Sequence, residues 1–154
     1  GDGAALINQV FGSTQAQPTS SRGWFRLTAT AAAATVGLEL GADTRVFFNR
    51  NCTTVAPTSA LVLATANIDA GNHHQPMVYS IDHHLVMNFT VPGSVQQYQH
   101  WLNHWQAQIF APSATLQTIA ELQHAATTAL PGAQKLAAQL YAHWLAGIAE
   151  RADP

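Results

Sequence analysis

Between Met77 and Val91 the odd-numbered positions read Met77, Tyr79, Ile81, His83, Leu85, Met87, Phe89 and Val91, and all but His83 are apolar. The even-numbered ones from Val78 to Thr90 read Val, Ser, Asp, His, Val, Asn and Thr. Alternation of period two marks a strand with one face in the core and the other towards solvent or a site. An unbroken strand puts His83 in the core as a neutral imidazole, and His84 on the polar face with Ser80, Asp82 and Asn88. At roughly 3.3 Å per residue such a strand spans about 50 Å, far beyond the usual length. A bend, a bulge or a hairpin at Asp82 and His83 is therefore the competing reading. In a hairpin both histidines sit at the tip and parity no longer sorts them.

Trp24 to Thr30, Thr35 to Leu40 and Thr44 to Asn49 are short runs rich in aromatic and branched residues, with Gly41-Ala42-Asp43 as a turn between the last two. The Ala31–Ala34 tract favours helix, so strands and a single helix from Phe25 to Leu38 both stay open. Ala60 to Ile68 gives a further strand, ended by the turn signal Asp69-Ala70-Gly71-Asn72. After Pro92-Gly93 the period becomes helical. Ser94 and Gln97 match a capping box, and Tyr98, Trp101, Leu102, Trp105 and Ile109 share one face. A second helix carries Leu116, Ile119, Leu122 and Ala126 as far as Pro131-Gly132. A third, with Pro131 in its first turn, carries Leu136, Leu140, Tyr141, Trp144 and Ile148. Tryptophans at helical spacing read as core. The pattern predicts an α+β fold, in which a β-rich N-terminal half of about four to six strands in an antiparallel sheet is followed by about three helices packed on it. Residues 1–154 fit a single domain, with 1–23 as a loop or extended arm.

Charged residues make up only 9% of the chain and the formal net charge is -2, so solubility rests on neutral polar groups. No Lys or Arg occurs from Asn51 to Gln134, which counts against nucleic acid and anionic membrane surfaces as partners. No apolar run approaches the roughly 20 residues of a membrane span, and the first residues show no basic segment followed by a hydrophobic stretch. Abundant Thr, Asn and Gln lean towards a secreted or exported protein. Asn51-Cys52-Thr53 and Asn88-Phe89-Thr90 match the glycosylation pattern, as chance alone provides in such a composition. Neutral polar and aromatic surface is cheap to desolvate, which favours a protein partner or homo-oligomer.

Three chemistries compete. Cys52, the one cysteine, lies beside Arg50, and a nearby guanidinium favours thiolate. Paired with an imidazole it makes a nucleophile and base for amide or thioester chemistry. His84 is the partner on register, with Asp82 or Asn88 to orient it. A cysteine at Asn51-Cys52 followed by a histidine opening the strand His83-His84-Leu85-Val86 resembles the order in papain-like hydrolases and toxin deamidases of that fold. That resemblance implies a small thiol hydrolase, amidase or deamidase. It departs from the pattern at Pro57, which would sit in the second turn of the helix that those enzymes start at the nucleophile.

His100 and His104 stand four apart on the helix after Pro92-Gly93, a spacing that puts two imidazoles on one face for a divalent ion such as zinc. A third ligand would have to come from His73, His74 or His84, and no other cofactor is implied. The remaining reading needs no constellation at all: a non-enzymatic module for binding or assembly, by self-association or partner docking. With no complete catalytic motif in view, this reading comes first, the thiol hydrolase second and metal binding third.

Overall fold

The hairpin form of the Met77–Val91 alternation is the one realised. The computed structural model describes residues 10–11, 17–53, 55–68, 74–104 and 117–152. Among these, the strands are Gln17–Ala29 (β1), Arg45–Thr53 (β2), Leu61–Asn67 (β3), His74–Ile81 (β4) and His84–Met87 (β5). The helices are Ala31–Thr35 (α1), Val95–His104 (α2) and Ile119–Ala152 (α3). The fold is α+β, with the short α1 between β1 and β2 and the two longer helices after the last strand.

Neighbouring strands pair antiparallel in the order β2-β1-β3-β4-β5. β1 pairs with β2 over Gln17–Arg26 and with β3 over Leu27–Ala29, so its two ends serve different partners. The sheet curls until the Thr90 amide, past β5, donates to the Phe47 carbonyl on β2 at 2.8 Å. The two edges of the strand order thereby meet. Pro76 has no N–H for the ladder, and the β3–β4 register shifts beside it, between Val62 and Ala64 and between Ala64 and Thr65. Its carbonyl accepts from Asn88 Nδ2 at 2.8 Å. Asn88 is fully buried, which rules it out as a sugar acceptor in this fold.

Several expectations change. Gln17 to Gly23, expected as loop or arm, is paired strand. The alanine tract forms one helical turn, α1, and Thr35 to Leu40 is not a strand. Thr30 precedes α1 but does not cap it, because its hydroxyl donates to the Val62 carbonyl at 2.6 Å. The turn at Asp43 forms as expected, and its carboxylate meets Arg26 at 2.9 Å and Arg45 at 3.2 Å. Those two partners hold the Asp43 carboxyl below its ordinary range. So exposed a cluster adds little stability.

α2 begins as the sequence predicts, with the Gln97 amide donating to Ser94 Oγ at 3.0 Å and the Gly93 amide to Gln97 Oε1 at 2.7 Å. Trp105 and Ile109 lie outside the described residues. The break expected at Pro131-Gly132 is absent, and α3 runs through it for 34 residues, about 50 Å. The reason is packing. Leu122, Ala126, Ala129, Leu130, Ala133, Leu136 and Leu140 form one buried stripe on both sides of the proline. Burial of that stripe offsets the missing hydrogen bond. Thr118 and Glu121 form a capping box at the start: the Thr118 amide donates to Glu121 Oε2 at 2.7 Å and the Glu121 amide to Thr118 Oγ1 at 3.3 Å.

The core is centred on Trp24, Phe47 and Tyr98, whose ring centroids lie 5.0 to 5.7 Å apart. Trp24 Nε1 donates to the Tyr98 hydroxyl at 3.1 Å, and its backbone amide donates to Gln117 Oε1 at 2.9 Å. Burial pushes the Tyr98 hydroxyl well above the ordinary phenol value, so it stays neutral. A Cβ at Gly23 would come within 2.8 Å of Gln117 Oε1 and push that side chain off the Trp24 amide.

Two outcomes are expected. Pro131→Ala restores a donor to an exposed position inside α3 and raises stability by up to about 3 kcal/mol, read from denaturant unfolding. Hydrogen bonds from Thr118 hold the Glu121 carboxyl below its ordinary range. A depressed folded value means that the contribution is present above the unfolded value and lost as pH falls through the folded one. In thermal melts from pH 7 to pH 3, Glu121→Gln should therefore lose less stability on acidification than the unaltered protein.

Candidate functional site

The β4–β5 hairpin turns in two residues, Asp82 and His83, between the paired Ile81 and His84. Asp82 adopts φ 48°, the left-handed region that short polar side chains tolerate. Both histidines are exposed at the tip, so the core placement of His83 is corrected. The cause is the turn itself, which breaks the parity: Val86 and Asn88 point inward after it, where Met77, Tyr79 and Ile81 do before it.

The tip lies against the last third of α3. From Tyr141 to Ala146 every helix residue is exposed, in contrast to the buried stripe before it. Trp144, expected in the core, is 37% exposed, and its Nε1 donates to the His83 carbonyl at 3.2 Å. Hairpin and helix enclose two adjoining depressions. One, about 130 Å³, is polar and brings Ser80, Asp82, His83 and His84 together with His143 and Trp144. The other, about 140 Å³, is apolar and lined by Leu85, Met87, Tyr141 and Trp144. Ser80 stands between Leu61 and Leu85 as direct cross-strand partners, so the three share a face. The His84 ring meets Phe11 edge-on at 5.7 Å.

Of the residues singled out in the sequence, Asp82 and His84 are brought together here. Cys52 is placed elsewhere, opposite Pro18 on β2, the strand at the other end of the order. Its position within a strand differs from the helix start that a papain-like arrangement requires. Its side chain lies outside the described residues. His143 was missed by the sequence reading. A histidine on a helix carries no local signal of the hairpin that it will face, 60 residues earlier in the chain.

His100 and His104 stack on the exposed face of α2 with centroids 6.3 Å apart. Among the described residues no group of three or more His, Cys, Asp or Glu is arranged to hold a metal ion, and His73 lies outside them. Nor is any described helix long and apolar enough to cross a membrane.

No protein-family model and no curated protein matches this chain. Solved structures do. A glutamine amido transferase from Methylobacillus flagellatus superimposes with a TM-score of 0.74 at 16% identity, over 94% of this chain and 60% of that one. A glutamine amidotransferase from Thermotoga maritima superimposes with a TM-score of 0.62 at 12% identity, over 90% of this chain and 59% of that one. The chain is folded like part of a glutamine amidotransferase. It spans about three fifths of the length of each neighbour, and at these identities the likeness is one of fold. The similarity overturns the expectation of a non-enzymatic binding or assembly module. That expectation rested on the lack of a complete motif in the sequence, and a fold held at 16% identity need leave none.

The tip geometry has its own consequence. Asp82→Gly keeps the hairpin at no backbone cost, whereas Asp82→Val forces a β-branched residue into the left-handed region and should lower stability by about 1–2 kcal/mol in chemical denaturation.

Proposed function

We infer that this chain belongs to an enzyme that works on the side-chain amide of glutamine, by the thiol chemistry of the hydrolase reading. The observation that carries this is the superposition on a glutamine amido transferase over 94% of the chain. In this reading Cys52, the chain's one thiol, is the nucleophile, His84 the general base and Asp82 the group that orients it. Cys52 lies on β2 and His84 on β5, the two ends of the strand order, which the Phe47–Thr90 bridge links at one point. The thiol gives its proton to the imidazole and attacks the amide carbon. The imidazolium returns that proton to the departing nitrogen, leaving a thioester and ammonia. Water, deprotonated by the same imidazole, then releases glutamate and restores the thiol. Ser80 and His143 line the depression at His84 and offer a hydroxyl and a second imidazole to a polar substrate.

The test is ammonia release from L-glutamine, with glutamate formed in equal amount. Cys52→Ser and His84→Ala should each lower the rate by roughly two orders of magnitude or more. Equal rates in the unaltered protein and both variants would sink the assignment of these residues. Absence of any release would sink the reading as a whole.

A further inference from the structure

Trp144 stands at an unusual junction. It belongs to a stretch of α3 whose side chains are all exposed from Tyr141 to Ala146, yet its indole reaches across to the sheet. It lines both depressions, and Leu85 is the other residue that they share. The Tyr141 ring meets it edge-on at 6.5 Å. Its one hydrogen-bonding group, the indole N–H, donates to the His83 carbonyl at 3.2 Å.

That carbonyl belongs to the peptide unit whose nitrogen is the His84 amide. The unit is planar, so a donor that fixes the oxygen also fixes the nitrogen and the direction in which His84 leaves the turn. The preceding residue is Asp82, whose φ of 48° is the left-handed conformation of a turn residue and sets the path of the chain into His83. The imidazole ring meets the Phe11 ring at 65°, with centroids 5.7 Å apart. His84 is thus held through its backbone by an indole and through its ring by an aromatic edge.

We propose that Trp144 is a positioning residue for His84, acting through the His83–His84 peptide and tying the working angle of the imidazole to the exposed end of α3. The proposal rests on the reading of His84 as general base. It makes no use of contact between Trp144 and substrate.

Two replacements remove the N–H donor while keeping an aromatic ring: Trp144→Phe, and benzothienylalanine at position 144, in which sulfur takes the place of the indole nitrogen. Two readouts apply to the full chain. The first is amide exchange at His84, followed by nuclear magnetic resonance without any substrate. Loss of the tether should speed it by about two- to tenfold, the range of one partly exposed hydrogen bond. The second is ammonia release from L-glutamine, where kcat should fall by a similar factor of about two to ten with KM unchanged, and the acid limb of the pH profile should move. A purely structural role predicts no kcat-against-KM split in the isosteric variant. Unchanged exchange in both variants overturns the tether whatever the activity. Faster exchange with unchanged kcat overturns the positioning role and leaves the base assignment standing. A protein that releases no ammonia at all removes the base, and the proposal with it, while the exchange result still describes the hairpin.

Discussion

Phe47 is where the molecule closes. Its ring completes the aromatic trio with Trp24 and Tyr98, and its carbonyl accepts the amide that joins the edges of the curled sheet. The two roles depend on each other. An exposed edge is a row of unsatisfied backbone groups, and curling satisfies some of them only if the concave side is filled. Large rings fill it at little entropic cost, since each has few rotatable bonds. Trp24 extends the arrangement: its indole holds α2 through Tyr98 and its amide holds the approach to α3 through Gln117. Trp24 and Phe47 thus join the sheet to both of the longer helices' neighbourhoods, within a core that extends along the buried stripe of α3.

From that closure follows where chemistry is possible. The concave side is occupied by core, so a site must lie at the rim, where the β4–β5 tip and the exposed end of α3 overhang it. Rim sites hold their side chains less firmly than buried ones do. The indole at Trp144 and the ring of Phe11 supply restraint that burial does not. The likeness of fold to two glutamine amidotransferases at 12–16% identity shows that this shape can be built from very different side chains.

How much was legible beforehand follows the range of the forces involved. Periodicity reports which side of an element is buried. It placed β3 within a residue at each end, the start of α2, and the order of strands before helices. A turn is a local event too, yet Asp82-His83 lacks the glycine that usually announces one, so the strand and the hairpin could not be separated. Pro131 misled for the opposite reason. Its local signal is strong, but the stripe from Leu122 to Leu140 that overrides it gains its energy from contact with the rest of the protein. Asp82 and His84 were found because they are neighbours in the chain. His143 was not, and Trp144 was read as core, because their link to the tip spans about 60 residues and depends on a long helix returning to the sheet.

The two-residue tip also sets a rule for how this region can vary. With no spare residue between Ile81 and His84, the facing of β5 is dictated by that of β4. One added residue at the tip would exchange Leu85 and Met87, which pack on the main core, with Val86, which packs with Tyr79 on the other face, and would carry Asn88 away from the Pro76 carbonyl. Substitutions at His83 can alter the chemistry of the rim, and at Asp82 only residues that accept a positive φ can do so without strain. Changes of length there cannot be absorbed, so the loop that looks freest on the surface is fixed in its count of residues by the interior.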